Sequence, residues 1–313
     1  MSKPLTPRLK AILQALLVTF LWSTSWVLIK IGLAGIPALT FAGLRYGLAF
    51  MCLLPFALQL GSRRAIAGLS RRQWARLVLL GVLYYAVTQG TQFLGLVYLP
   101  ALTASLILNF TTIVVALMGI LFLSERPAAL QWTGIAVSTL GILVYFYPVS
   151  LPRTELVGVI IVGASMFANA GSAVLGRNIN RNENISPLLV TVISMGTGAV
   201  ILLASGLLFQ EIPRLTLVDW AIVAWLAITN TAFAFTLWNH TQRTLSAVES
   251  SIINSTMLIQ IAILAWLFLG EGVSLKQGIG MALAALGVVI VQLRRTPPQE
   301  LRRTGKETIR QLD

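Results

Sequence analysis

Residues 101–144 read ALTASLILNFTTIVVALMGILFLSERPAALQWTGIAVSTLGILV, and this stretch decides the fold because the chain contains a second copy of it. A shift of 146 residues aligns it without a gap with AVESSIINSTMLIQIAILAWLFLGEGVSLKQGIGMALAALGVVI, residues 247–290. Of the 44 aligned pairs, 14 are identical, among them Glu125 with Glu271. We therefore expect two structurally similar halves.

The composition excludes an ordinary soluble protein. The chain of 313 residues is 57% hydrophobic and 11% charged, whereas a soluble domain carries roughly 25% charged residues. A membrane-spanning helix needs about 20 apolar residues, and ten such runs are separated by charged residues or by Pro and Gly. We predict an all-α integral membrane protein with ten transmembrane helices, at residues 11–33, 37–59, 77–97, 101–123, 128–148, 156–176, 186–208, 218–239, 247–269 and 274–293.

The basic residues are distributed unevenly between the predicted loops. The two ends and alternate loops hold 18 Lys and Arg residues, whereas the other loops hold only Arg153, Arg214 and Lys276. Because cytoplasmic segments collect Lys and Arg, both termini are predicted to be cytoplasmic, with tails at 1–10 and 294–313. This bias, together with attraction to anionic lipid, explains the net charge of +13 without nucleic-acid binding.

Five helices per half is an odd number, so the two halves must cross the membrane in opposite senses. The first predicted repeat covers residues 11–148 and the second covers residues 156–293. An inverted repeat of this kind lets two bundles open a shared cavity to one side and then to the other. Small residues on one helix face allow close packing, and we assign that structural role to Gly134, Gly141, Gly280 and Gly287.

Several short segments resemble a known family. The segments are FLWSTSW at 20–26, PALTFAGLR at 37–45, LPA at 99–101, LFLSER at 121–126 and FLGE at 268–271. They are similar to EamA domains of the drug/metabolite transporter superfamily, and the resemblance covers nearly the whole chain. It implies ten helices, two five-helix repeats and export or exchange of small metabolites, including amino acids, across a bacterial or archaeal inner membrane. The chain departs from the pattern at FANA, residues 167–170, where these domains often carry a tryptophan, and at Glu249.

Lys30 and Arg45 are the full charges that lie well inside the predicted helices. A charge within the bilayer is costly, so such residues are candidates for function. Arg45 lies near mid-depth, and its guanidinium matches a substrate carboxylate, with backbone carbonyls as the alternative partner. Lys30 lies late in the first helix, where it either serves the site or extends to the outer headgroups.

Polar and aromatic side chains form stripes on the predicted helices. Trp22 lies four residues before Trp26 on one face of the first helix, and we expect Trp22 to line a cavity. An amide that faces lipid would be unsatisfied, so each stripe should meet water, a substrate or another helix. Together with Lys30 and Arg45, the predicted substrate-binding residues are Trp22, Tyr85, Gln89, Gln92, Asn109, Asn169, Asn239 and Asn254.

Glu125 and Glu271 form a symmetric acidic pair, each just before the predicted start of the fifth or tenth helix. A carboxylate is favoured there by the free N–H groups and by the helix dipole. We therefore predict structural capping for both residues. His240, the single histidine, ends the eighth predicted helix and is interpreted as a surface residue.

The residue inventory argues against other membrane functions. The predicted spans hold no aspartyl dyad, and one histidine with one cysteine cannot build a typical metal site, so we predict no enzyme activity, metal or cofactor. A serine nucleophile with His240 stays open as the enzyme alternative. A channel would need rings of charge or a carbonyl filter, and a scaffold has no need of inward polar stripes.

These observations predict an inner-membrane transporter of a small amphiphilic metabolite with a carboxylate, such as an amino acid or a related compound. No Asp or Glu lies at the centre of a predicted span, whereas proton-coupled carriers commonly hold such a group there. We therefore expect facilitated diffusion or exchange, with proton-coupled export as the alternative. The predicted partners are the metabolite and membrane lipid, and the sequence leaves the oligomeric state open.

Overall fold

The structure is a computed structural model of the chain. It describes residues 6–58, 65–111, 113–115, 117–118, 129–147, 152–182, 185–211, 213–241, 244–245, 253–254 and 256–292. Helices joined by short connections make up these residues, and no strand occurs among them. The predicted all-α class is confirmed.

The described ranges contain ten helices of nine residues or more, in the order of the ten apolar runs. They are α1 (Pro7–Gly32), α2 (Ala38–Ala57), α3 (Arg71–Tyr98), α4 (Ala101–Asn109), α5 (Ala129–Phe146), α6 (Arg153–Asn182), α7 (Pro187–Phe209), α8 (217–241), α9 (Met257–Leu269) and α10 (Leu275–Gln292).

Local sequence sets several helix ends. Ser70 and Gln73 form a reciprocal capping box at the start of α3, and Thr216 and Asp219 form another at the start of α8. In each box, side-chain oxygens satisfy N–H groups that have no partner within the helix. α9 ends at Gly270, whose φ of +67° favours glycine.

Six helices are long and apolar enough to cross a membrane: α1, α2, α3, α6, α7 and α8. The other four are apolar but shorter within the residues described here. The chain is therefore a multi-pass membrane protein.

α5 and α10 pack against each other backbone to backbone. A Cβ atom on Gly141 would lie 2.6 Å from the carbonyl oxygen of Gly280, and one on Gly280 would lie 2.7 Å from that of Gly141. Gly134 and Gly287 approach each other in the same way, with distances of 2.7 and 2.5 Å. The four glycines remove the side chains that would otherwise separate the last helices of the two halves.

α3 and α8 each contain a π-helical segment, Gly81–Gln89 and Ile228–Phe233. The Thr88 hydroxyl donates to the carbonyl of Leu83 at 2.8 Å, and the Thr231 hydroxyl donates to that of Leu226 at 2.8 Å. In both cases the acceptor lies five residues earlier. Because α3 and α8 are the third helices of the two predicted repeats, the same irregularity occurs at a corresponding place in each half. Such widened turns are frequent at functional sites.

The main apolar core holds α2 in contact with both irregular helices. Phe41 of α2 and Phe93 of α3 are fully buried, with ring centroids 5.2 Å apart and planes at 85°. Edge-to-face contacts of this kind add to the stabilisation from buried area. The core therefore fixes α2 between the π-helical segments of α3 and α8.

Candidate functional site

Arg45 lies on α2 and is only 5% exposed. Its Nε donates a hydrogen bond to Thr231 Oγ1 at 3.0 Å, in the π-helical segment of α8. Its guanidinium carbon lies 5.3 Å from the centroid of the Tyr46 ring, within cation–π range. Among the described residues no carboxylate forms a salt bridge with this guanidinium. A buried cation therefore lies here without a protein counter-ion in that part of the chain.

Three tyrosine rings, one from α2 and two from α3, form a series of contacts that begins beside Arg45. Tyr46 and Tyr85 have ring centroids 5.4 Å apart at 69°, and Tyr84 and Tyr85 have centroids 4.9 Å apart at 77°. Tyr84 and Tyr85 belong to the π-helical segment of α3. Two adjacent residues of α2 therefore contact the two irregular segments, Arg45 through Thr231 and Tyr46 through Tyr85.

Asn230 of α8 is fully buried and forms hydrogen bonds with α1. Its Nδ2 donates to Thr24 Oγ1 at 3.0 Å, to Ser25 Oγ at 2.9 Å and to the carbonyl of Leu21. The backbone carbonyl of Asn230 accepts from Trp22 Nε1 at 3.1 Å. The residue therefore anchors the second π-helical segment to α1.

Trp22 was expected to line a cavity. The structure places its ring, half-buried, against Phe235 and Trp238 of α8, with both centroid distances at 5.2 Å. Because its indole N–H also donates a hydrogen bond to the Asn230 carbonyl, Trp22 contributes to the packing of α1 on α8.

Lys30 lies at the connection between α3 and α4. Its Nζ donates to the carbonyl oxygens of Leu96 at 2.6 Å and Leu99 at 2.7 Å. These carbonyls belong to the C-terminal end of α3, where a positive charge is favoured by the helix dipole. Lys30 is therefore held by α3 within the bundle.

Glu271 lies on the other side of the same connection. Its carboxylate accepts from the backbone N–H groups of Ala101 at 2.8 Å and Leu102 at 3.2 Å. The sequence placed this carboxylate at the start of the tenth helix, but the structure places it at the start of α4. Ser274 and Gln277 form the cap of α10 instead, with the Gln277 N–H donating to Ser274 Oγ. Glu125 lies outside the described residues.

A second cross-helix cap lies at the same end of the bundle. Gln210, directly after α7, accepts from the N–H groups of Leu39 at 2.9 Å and Thr40 at 3.2 Å, at the start of α2. Gln210 and Glu271 both follow helices of the second half and cap helices of the first half. The two halves are therefore linked by hydrogen bonds at the end of the bundle remote from the N-terminus.

No hydrogen bond between described side chains joins the remaining predicted site residues to Arg45, whose partner is Thr231. Gln89 and Gln92 are half-buried on α3, and Asn254 is exposed. The Asn169 amide donates to Thr111 Oγ1 at 3.5 Å. The Asn109 Nδ2 atom is enclosed and has no hydrogen-bond partner among the described residues. Asn239 lies in α8, but its side chain is outside the described part of the structure.

The structure thus brings together Arg45 and Tyr85 from the predicted set. It adds Tyr46, Tyr84 and Thr231, which sequence reasoning did not select. Tyr46 directly follows the intramembrane arginine, and this adjacency was the available signal. The contact with Thr231 spans 186 residues of sequence, so no local pattern could identify it.

A cavity of about 730 Å³ lies between α9 and α10, away from Arg45. Apart from Thr256 its lining side chains are apolar, and Ile259, Ile263 and Trp266 are more than half exposed on the outer face of the bundle. The lining of this groove is therefore apolar, whereas the buried charge lies at Arg45. Among the described residues no group of three His, Cys, Asp or Glu side chains is placed to hold a metal ion.

A family model and similar proteins agree with this architecture. The model of the EamA-like transporter family matches residues 9–147 and again residues 156–293. The chain is 25% identical over 311 residues to the S-adenosylmethionine/S-adenosylhomocysteine transporter of Chlamydia trachomatis, covering 93% of this chain and 90% of that protein. It is also 25% identical over 241 residues to an Escherichia coli protein named "Probable amino-acid metabolite efflux pump", covering 72% of this chain and 75% of that protein.

A solved crystal structure shares the fold, with a TM-score of 0.65 over 91% of this chain and 98% of that chain, at 17% identity. The resemblance of the opening helices and of the repeated stretch to EamA domains is confirmed by the family match. The chain belongs to the EamA-like transporter family.

Proposed function

We propose that the protein exports a small metabolite with a carboxylate, an amino acid or a related compound, across the inner membrane by alternating access. The single observation that carries this proposal is Arg45. A guanidinium that is 5% exposed and lacks a described counter-ion is stabilised when an anion enters beside it. The names of the two relatives, one an S-adenosylmethionine transporter and one an amino-acid metabolite efflux pump, support a metabolite as substrate.

The proposed topology follows the charge distribution of the loops. All ten helices cross the membrane, residues 11–148 and 156–293 form the inverted repeats, and both tails are cytoplasmic. Under this proposal, the hydrogen bonds of Gln210 and Glu271 join the two repeats at the outer side. The bundle is then closed towards the outside, and substrate enters from the cytoplasm.

The proposed mechanism uses Arg45 as the point at which both halves meet the substrate. Thr231 and Tyr85 come from irregular segments in different halves. Arg45 contacts Thr231, and the neighbouring Tyr46 contacts Tyr85. Irregular helix segments near the bilayer centre are a recurrent feature of substrate sites in transporters with inverted repeats. Binding of the carboxylate neutralises the guanidinium, which lowers the cost of enclosing the site during the passage between states. Movement down the substrate gradient, or exchange, then needs no proton relay.

The test is transport by purified protein in proteoliposomes. The vesicles are loaded with the twenty common amino acids, and a second set is loaded with the corresponding carboxamides, which lack the negative charge. We expect the protein to release the acids in preference to the amides, and Arg45→Gln to reduce that release about tenfold or more, because a hydrogen bond to a charged group contributes about 1.5–3 kcal/mol. Arg153→Gln, at an exposed arginine at the start of α6, is the matched control.

Folding of each variant is checked by size-exclusion chromatography and thermal unfolding. Normal release of the acids by folded Arg45→Gln protein would show that Arg45 is not the substrate site.

A further inference from the structure

Three phenol hydroxyls beside Arg45 have no assigned role. Tyr46 is 2% exposed, Tyr85 is 4% exposed, and Tyr84 is half-buried. Within the described part of the chain, none of the three hydroxyls forms a hydrogen bond to a protein atom. The three hydroxyl oxygens are nevertheless not among the enclosed, unpaired polar atoms of the described residues, which are Thr40 Oγ1, Asn109 Nδ2 and Asn230 Oδ1. The hydroxyls therefore border open space, where a polar group of this kind normally meets a hydrogen-bond partner.

The guanidinium and the three phenol rings form one continuous series of contacts. The guanidinium carbon of Arg45 lies 5.3 Å from the centroid of the Tyr46 ring, the Tyr46 and Tyr85 centroids are 5.4 Å apart, and the Tyr84 and Tyr85 centroids are 4.9 Å apart. A guanidinium only donates hydrogen bonds, and a phenol hydroxyl is able to donate one. Among the described side chains only Thr231 accepts a hydrogen bond from the guanidinium, so the other guanidinium N–H groups and the phenol O–H groups are available as donors to an anion.

We infer that the hydroxyls of Tyr46, Tyr84 and Tyr85 complete the binding site for the substrate carboxylate. This inference rests on the proposed function of Arg45 and extends it to the residues that select the substrate. The Nε–H of Arg45 is already occupied by Thr231 Oγ1, so the two terminal nitrogens provide the free edge. That edge donates two parallel hydrogen bonds to a carboxylate.

A carboxylate accepts about four hydrogen bonds. Two come from the guanidinium, and the three tyrosine hydroxyls share the remaining two positions. An amide in the same position presents an NH₂ group to a donor and has no charge for the guanidinium. The site consequently selects acids over isosteric amides, and the hydroxyls increase this selectivity by their direct bonds to the carboxylate oxygens.

The experiment measures binding of simple probes and is independent of the natural substrate. Thermal unfolding of the purified full chain is followed in titrations with propionate, with propionamide of the same shape, and with methylphosphonate as another oxyanion. Tyr46→Phe, Tyr84→Phe and Tyr85→Phe each remove one hydroxyl and keep the aromatic ring. Tyr98→Phe, at a tyrosine that is 41% exposed, is the matched control.

We expect propionate to stabilise the wild-type protein more than either other probe does. The apparent Kd for propionate should rise about tenfold or more in Tyr46→Phe and Tyr85→Phe, since one hydrogen bond to a charged group is lost, and stay unchanged in Tyr98→Phe. Arg45→Gln should abolish the preference for propionate over propionamide.

Wild-type affinity for propionate in all three folded Phe variants would overturn the inference, as would a greater stabilisation by methylphosphonate than by propionate. Loss of amino-acid release in Arg45→Gln together with unchanged propionate affinity in the Phe variants would leave the proposed function standing and refute only the role of the hydroxyls. Unchanged amino-acid release in Arg45→Gln would refute the proposed function itself.

Discussion

The close packing of α5 on α10 predicts that the variant Gly141→Ala unfolds more easily than the wild-type protein. The added methyl group would lie 2.6 Å from the carbonyl oxygen of Gly280, whereas ordinary contacts lie at 3.4–4 Å. The obstacle is backbone, which cannot rotate away, so the two helices must separate by about 1 Å. Overpacking of this kind costs about 1–3 kcal/mol, while alanine gains up to about 1 kcal/mol over glycine in helix propensity. We expect a net loss of about 1–2 kcal/mol in the free energy of unfolding.

Gly163→Ala is the matched control for this measurement. Gly163 lies in α6, and a Cβ atom there would meet nothing within 4 Å. The same substitution should therefore keep only the gain in helix propensity, about 0.5–1 kcal/mol of added stability. The two variants are compared by equilibrium unfolding in mixed detergent micelles, followed by the fluorescence of the 8 tryptophans. Equal stability of Gly141→Ala and Gly163→Ala would refute the backbone-to-backbone packing of α5 and α10.

Two further predictions concern the cap of α4 and the energy source. Glu271→Ala leaves the N–H groups of Ala101 and Leu102 without their acceptor and should lower the free energy of unfolding by about 1–3 kcal/mol. The control variant Glu211→Ala, at an exposed glutamate, should change the free energy of unfolding little. Equal unfolding curves for the two variants would contradict the cap. An imposed pH gradient without a substrate gradient should drive no accumulation in proteoliposomes, because the described spans offer no central acid to carry the proton. Uphill accumulation that is lost on mutating Glu249 or Lys30 would establish proton coupling instead.

The helices themselves could be predicted from the sequence because their signals are local. A run of about 20 apolar residues has few structural options in a membrane, and capping residues such as Ser70 and Thr216 mark where helices begin. The four glycines of α5 and α10 could be selected for the same reason, since a seven-residue spacing places two glycines on one helix face. Their exact partners, Gly141 with Gly280 and Gly134 with Gly287, required the structure.

The contacts of the charged residues could not be predicted, because each depends on a helix that is remote in sequence. The carboxylate of Glu271 satisfies N–H groups 170 and 169 residues away, although the helix dipole argument had named the nearer helix. The kind of partner, a helix N-terminus, could be predicted, but the Ser274–Gln277 cap already occupies the start of the nearer helix. Similarly, Lys30 binds carbonyls of α3, a partner that no spacing within α1 could indicate.

The two halves share the π-helical irregularity but differ in the charged residue beside it. In both π-helical segments a threonine hydroxyl donates to the carbonyl five residues earlier, so the backbone irregularity is shared. The hydrogen bonds from these threonines to neighbouring helices differ. The Thr231 hydroxyl also accepts from Arg45 of α2, whereas the carbonyl of Thr88 accepts from Ser165 of α6 at 2.7 Å. α7, which corresponds in order to α2, carries no charged residue along Pro187–Phe209. The repeat therefore supplies two similar irregular segments, and under the proposed function the arginine of one half is what makes their junction a site for the substrate anion.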